Sequence, residues 1–426
     1  MKTTINLKQE KERIFLAVVS FKRERPEWVP KDILEEMESL VVACGGQVVG
    51  SMFCVLDKPT ASHLIGKGKV EEIASACQLA HADTVIFSED LKGSQQRNLE
   101  DDLKVRTIDR TQLILDIFAH RAKSNEGKMQ VELAQLEYLL PRLVGKRTEL
   151  SRLGGGIGTS GPGETKLEID RRRIAEKITR LKADLKTLAT NQDTKRKKRK
   201  EKGLPIISLV GYTNAGKSTL FNTVTQSEQE TKDGLFTTLD SLSRQLLLPN
   251  RQRVVLSDTV GFMHDLPHHL IEAFKTTLQE VQQADLLLHV IDISHPNFRN
   301  MIQAVMTVLD ELNVLDKPVI HVFNKIDLLE DKEWVKNLKD NYEHAVYLSA
   351  KTGENLPSLL TEISQILSAL FVEIDVLVPI NRMDLVSLAH QEGEVLSIKY
   401  YSDKINIRVA VPTNIAGVFL KAAQPA

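Results

Sequence analysis

The chain has 426 residues, 42% of them hydrophobic and 27% charged, with a formal net charge of −1. That composition excludes a disordered or fibrous chain and a uniform polyelectrolyte, so any nucleic-acid contact must come from a local patch. No apolar run approaches the ~18 residues of a membrane-spanning helix, and three cysteines without CxxC spacing suit the reducing cytoplasm better than a disulfide framework.

The length suggests two to four domains. From Arg13 to about Ala122, RIFLAVVS, QVVGSMFCVL, DTVIF and VRTI read as strands. KDILEEMESLVVA, KVEEIASACQLA and SQQRNLEDDL read as helices between them. Strands alternating with helices predict a parallel α/β sheet over residues 1–125. Within it, Gly66-Lys67-Gly68-Lys69 precedes a helix. The pattern admits a phosphate nest or a helix-opening turn, and the turn is the favoured reading.

Residues 126–202 follow another rule. Met129, Leu133, Leu136, Leu140 and Leu143 recur every three or four residues, as do Ile174, Ile178, Leu181, Leu185 and Leu188. Two such seams predict an antiparallel helical hairpin, with Pro141 kinking its first arm. Between Asp170 and Lys202 stand 14 Lys/Arg against 5 Asp/Glu, ending in KRKKRKEK, read as a solvated linker. The hairpin encloses RLGGGIGTSGPGETK, which contains Gly156-x-Gly158-x-x-Gly161. A dinucleotide fingerprint needs a strand before it and a helix opening at its third glycine. Here a helix precedes and Pro162-Gly163 follows, so the segment is read as a flexible loop at the hairpin tip.

Over residues 203–368 the runs PIISLV, RVVLSD, DLLLHVID, PVIHVFNK and AVYLSA predict a doubly wound domain. Gly211-Tyr212-Thr213-Asn214-Ala215-Gly216-Lys217-Ser218 fits GxxxxGK[ST] between the strand PIISLV and the helix STLFNTV, the context a phosphate loop requires. Backbone N–H groups through Thr219 would face phosphates, Lys217 would reach the β and γ phosphates, and Ser218 would bind Mg²⁺. In Asp258-Thr-Val-Gly261, the Asp258 carboxylate would hold Mg²⁺ through water and the Gly261 N–H would meet the γ-phosphate. Thr238, in GLFTTLD, is the expected switch threonine over Mg²⁺, with Thr237 adjacent. Asn324-Lys325-x-Asp327 follows PVIHVF about 110 residues after the phosphate loop; its carboxylate can accept two hydrogen bonds from a guanine edge that adenine cannot offer. The backbone of Ser349-Ala350-Lys351 would then touch the guanine O6. Lys217, Thr238 and Gly261 are thus the expected catalytic set for GTP hydrolysis.

Phe262 stands where a water-orienting glutamine is found in signalling GTPases. A phenyl ring cannot orient water by hydrogen bonding, so backbone, a bound ion or a partner must do so, and slow hydrolysis accelerated by a partner is expected. Asn214 fits either K⁺ activation or a loop-stabilising role. His264, His268 and His269 are read as an exposed helical segment rather than as catalytic groups. Residues 369–426 give three strands, VEIDVLVPI, EVLSIKYY and INIRVAV, and two helices, a small C-terminal α/β domain.

The phosphate loop, FTTLD, DTVGF, NKID and SAK, joined to RLGGGIGTSGPGETKLEIDRRR and HLIGKGKVEE, closely resemble the HflX family of GTPases over essentially the whole chain. The glycine-rich segment is the most specific mark; FTTLD stands where the family typically has FATLD. The resemblance implies a ribosome-associated, monomeric GTPase that binds the large subunit and its rRNA and splits stalled or stressed ribosomes. It further implies ATP as a second ligand of the N-terminal region. Gly154, Gly155, Gly156, Gly158, Lys166, Arg171, Arg172 and Arg173 become the expected RNA contacts, because a basic arm supplies sequence-independent phosphate contacts. The competing reading is a regulatory switch acting on a protein or membrane partner. The narrow, aromatic-free seam of Ile169–Leu188 speaks against membrane surface binding.

Overall fold

A computed structural model describes residues 11–22, 28–143, 162–201, 204–227, 235–236, 242–265, 267, 275–330, 342–368 and 371–423. They form two compact units, one centred on residues up to Lys186 and one on residues from Thr187 onward.

In the first unit, β1 (Arg13–Phe21), β2 (Gln47–Leu56), β3 (Thr84–Phe87) and β4 (Arg106–Asp109) make a parallel sheet of order β2-β1-β3-β4. β1 and β3 are apolar runs because a strand inside a parallel sheet is covered on both faces. Helices α1 (Pro30–Cys44), α2 (Lys67–Ala80), α3 (Gly93–Leu103) and α4 (Arg110–Arg121) follow the strands. The sequence reading missed α4, which starts on the residue after β4. Asp109 ends the strand and caps the helix, its carboxylate accepting from Gln112 N.

That carboxylate is fully buried and also accepts from Leu91 N, Tyr138 Oη (2.8 Å) and Arg142 Nη2 (2.9 Å). Tyr138 closes α5 (Asn125–Leu139), and Arg142 lies in the 3₁₀ turn Leu140–Leu143 that follows, its guanidinium 3.4 Å from the Tyr138 ring centroid. Asp109 therefore anchors the first hairpin arm to the sheet. Pro141 ends the α-helix rather than kinking it, since proline can neither donate nor clear the preceding turn. In the same unit Phe236 is buried edge-to-face on Phe118, at 4.7 Å.

The hairpin's second arm is α6 (Pro162–Glu201). Leu133 of α5 packs with Ile178, Leu181 and Leu185, as the two seams require, and Lys182 pairs with Glu137 at 2.7 Å. Two expectations need correction. The helix opens directly after Gly161, because proline at a first helical position loses no hydrogen bond. The run KRKKRKEK continues the helix through Glu201 rather than forming a linker, as Lys and Arg are good helix formers. The dinucleotide reading now fails only for want of a strand: α5 and the 3₁₀ turn are the elements before the glycine-rich segment among the described residues.

The second unit holds a six-stranded sheet of order β10-β9-β8-β5-β7-β6. Its strands are β5 (Ile206–Gly211), β6 (Leu242–Leu247), β7 (Arg253–Asp258), β8 (Leu286–Asp292), β9 (Val319–Asn324) and β10 (Ala345–Tyr347). All pair in parallel except the edge strand β6, which runs antiparallel to β7. Helices α7 (Lys217–Thr225), α8 (Lys275–Gln283), α9 (Phe298–Glu311) and α10 (Leu356–Ser368) are interleaved. Ile207, Leu209, Leu220, Leu256, Leu288, Val322 and Ile363 share one core. β5 is central, with β7 on one side and β8 on the other, so the chain reverses its winding at the carboxyl end of β5. Open α/β sheets bind ligands at such a switch point.

A separate antiparallel sheet, β11 (Phe371–Pro379), β13 (Lys404–Pro412) and β12 (Glu394–Tyr400), carries α11 (Met383–Glu392) and α12 (Thr413–Ala423). One face alternates Ile374, Val376 and Val378 with Ile405, Ile407 and Val409 into its own core. Among the described residues no helix is long and apolar enough to cross a membrane.

Candidate nucleotide site

β5 delivers the chain to the switch point and Gly211 starts the loop. Its φ is +152°, and an added Cβ would stand 2.3 Å from the Val290 carbonyl oxygen, so no side chain fits. Asn214 turns at φ +61°, a left-handed conformation asparagine tolerates, and is exposed. Gly216 precedes α7 at φ +93°. The first N–H groups of α7 have no carbonyl one turn back, and the helix dipole adds positive potential there. An anion is the natural occupant of such a loop.

Lys217 is 6% exposed, and its Nζ donates to the carbonyls of Gly211 (3.0 Å) and Tyr212 (2.8 Å). Desolvation pulls its pKa down to about 8, with the Asp258 carboxylate opposing. A buried ammonium short of charge compensation is prepared for phosphate. Ser218 Oγ donates to Asp258 Oδ2 at 2.7 Å, and Asp258 is fully buried at the end of β7. Thr213 Oγ1 is buried without a hydrogen-bond partner among the described residues, and Thr219 is half-buried one residue beyond Ser218.

The loop after β9 faces the same mouth. Asn324 is 2% exposed; its Nδ2 donates to the Ala215 carbonyl (2.9 Å) and its Oδ1 accepts from Ala350 N (2.9 Å). One side chain therefore ties the phosphate loop to Ser349-Ala350-Lys351. Thr223 Oγ1 of α7 adds a bond to the Ala350 carbonyl at 2.8 Å. Lys325 turns left-handed at φ +68° and pairs with Asp292 at 2.5 Å. Asp327 and Lys351 are exposed, whereas Ser349 is buried, its Oγ accepting from Thr352 N. The sequence reading missed Asp292 and Thr223, since neither sits in a motif and each contributes only through a tertiary contact.

Gly261 lies against the phosphate loop: an added Cβ would meet Thr213 Cα at 2.9 Å and Lys217 Nζ at 3.0 Å. Phe262 is 3% exposed, its N–H donating to the Gly211 carbonyl (3.1 Å) and its carbonyl accepting from Thr213 N (2.8 Å). His264 is half-buried, and its backbone N–H donates to Tyr212 Oη at 2.9 Å.

The site thus brings together Gly211–Thr219, Asp258, Gly261, Asn324, Lys325, Asp327 and Ser349–Lys351. Thr237, Thr238, His268, His269 and Gly154–Gly158 lie outside the described residues. Lys166 is on α6 with its side chain outside them; Arg171, Arg172 and Arg173 are exposed on α6, the last two beside Glu176 and Asp170. At the Gly66–Lys69 turn, Lys69 pairs with Glu72 at 2.5 Å, as a helix-opening turn would have it.

Four family models match the chain: the GTP-binding GTPase N-terminal (residues 31–119) and middle regions (121–199), the 50S ribosome-binding GTPase (206–325) and the HflX C-terminal domain (335–411). A GTPase HflX of Caldanaerobacter subterraneus is 44% identical, over 96% of this chain and 93% of its own. That of Lacrimispora saccharolytica is 42% identical over 97% of each. The Escherichia coli protein is 45% identical over 79% of each.

Proposed function

The chain belongs to the HflX family of GTPases, and from that premise we propose that it binds the large ribosomal subunit and its rRNA and uses GTP to dissociate stalled or stressed ribosomes. GTP hydrolysis comes with the family; the ribosomal target is our reading. The observation that carries it is α6, a long helix whose Arg171, Arg172 and Arg173 are exposed. A basic arm of this kind suits a polyanion such as rRNA, with phosphate contacts that weaken as salt rises. We assign the glycines Gly154, Gly155, Gly156 and Gly158, with Lys166, to the same contact. The domain division 1–125, 126–202, 203–368 and 369–426 is part of the proposal, as are a monomeric state and a cytoplasmic location.

In hydrolysis the phosphate-loop N–H groups and Lys217 would hold the phosphates. Asp327 would read the guanine edge, with the Ser349–Lys351 backbone at O6. Ser218 and Asp258 fit Mg²⁺: a hydroxyl and a single buried carboxylate 2.7 Å apart are hard oxygen donors, and Mg²⁺ takes its other ligands from phosphates and water. The metal would neutralise charge on the phosphate oxygens. Gly261 N–H and Thr238 complete the proposed set. The buried Phe262 has no side-chain donor or acceptor for a water, so a partner is expected to complete catalysis. Asn214, exposed in the phosphate loop, is where K⁺ would act.

Light scattering of ribosomes tests the proposal. The full chain with GTP should lower the signal as subunits separate. Deleting Gly154–Gly163 should weaken that and spare GTP binding. Separation at the wild-type rate by the deletion variant would refute the assignment of the loop.

A further inference from the structure

Among the described residues, three hydrogen bonds join the segment after Asp258 to the phosphate loop. Two are backbone bonds of Phe262, to the Gly211 carbonyl and from Thr213 N–H. The third is made by a side chain: Tyr212 Oη accepts from His264 N–H at 2.9 Å. Tyr212 is buried, its backbone bridges to Phe262, and its carbonyl accepts from Lys217 Nζ. In this arrangement Gly261 rests on Thr213 and on the Lys217 amine, with no room even for a methyl group. A third phosphate brought to that amine would press on Gly261, and the residues joined to it would move too.

Resting on the family's GTPase activity, we infer that Tyr212 is a positioning residue for GTP. Its hydroxyl holds the Phe262–His264 segment down on the phosphate loop and so sets how readily the protein accepts a γ-phosphate. GDP asks for no such displacement. The apparent affinity for a triphosphate is lowered by the fraction of molecules held in the closed arrangement. Removing one hydrogen bond from that arrangement shifts the balance about fivefold. The role is legible only in three dimensions, because the second position of GxxxxGK[ST] carries no requirement of its own.

The test is Tyr212→Phe in the full chain, which keeps the ring and removes the hydroxyl that accepts from His264 N–H. Affinities for GDP and for a hydrolysis-resistant GTP analogue are measured by fluorescence titration. Hydrogen exchange of the peptide covering His264 is followed in the GDP state. The ratio of analogue to GDP affinity should rise about fivefold, and exchange at His264 should accelerate. His264→Pro removes the donor from the other end and should raise the ratio likewise. A ratio within twofold of wild type for either variant, or unchanged exchange in Tyr212→Phe, overturns the inference. Loss of GDP binding by the wild-type chain would instead count against the nucleotide site itself.

Discussion

Replacing Asn324 with alanine should cost more than the loss of a residue beside the base. The side chain satisfies two buried backbone groups, the Ala215 carbonyl and the Ala350 N–H, each at 2.9 Å. Both residues are 1% exposed, so water cannot take over freely. An orphaned buried donor or acceptor costs about 1–3 kcal/mol. Two of them give about 2–6 kcal/mol before the small cavity is counted. Part of that falls on the fold and part on the nucleotide, because the two loops must be held in place for phosphate and base together. We expect GDP affinity to fall by at least about 2 kcal/mol, or roughly 30-fold. Urea unfolding of the ligand-free protein should show a loss of about 1–3 kcal/mol. Fluorescence titration with a labelled GDP checks the first number. An affinity within about threefold of wild type, or 0.65 kcal/mol, would refute the bridging role and leave Asn324 as packing.

Lys217 gives a pH prediction. Burial lowers its pKa to about 8 in the ligand-free protein, whereas the unfolded chain keeps the ordinary lysine value. Between these values the unfolded state binds more protons, so stability rises with pH there and the burial penalty is fully present below about pH 8. Phosphate restores the charge, so GDP binding at about pH 8.5 should take up most of a proton and at about pH 7 almost none. Calorimetry in buffers of different ionisation enthalpy reads this, and no uptake at the higher pH would contradict it. Asp109→Ala should destabilise the first unit by about 3 kcal/mol or more, since it strands Arg142 and Tyr138; a loss under about 1 kcal/mol in urea would remove Asp109 as the anchor of the hairpin. Unstimulated hydrolysis should be slow and faster in KCl than in NaCl; equal rates would assign Asn214 to loop structure alone.

Strong local patterns were legible in the sequence. β1, β5 and β8 are apolar runs because they are covered on both faces, and GxxxxGK[ST], DxxG and NKxD stand at the loops their chemistry needs. The two heptad seams meet as expected, through Leu133, Ile178, Leu181 and Leu185. Less was legible where one residue serves two elements. Asp109 ends a strand and caps a helix, which hid α4. β6 escaped notice because LSRQLL is an edge strand, half exposed and without strict alternation. Pro162 looks like a barrier in the sequence, although proline at a helix start costs nothing. The Tyr212–His264 bond and the Asn324 bridge arise from the meeting of loops distant in sequence, which no local pattern encodes. The glycine-rich stretch from Arg152 to Gly161 and the switch threonine lie outside the described residues, so their roles rest on motif and family.

The most direct test is cosedimentation of the full chain with large ribosomal subunits, in the presence of a hydrolysis-resistant GTP analogue or of GDP. Binding is expected with the analogue, weaker binding with GDP, and a steep loss as salt rises. Binding that ignores the nucleotide, or no binding in either state, would contradict it.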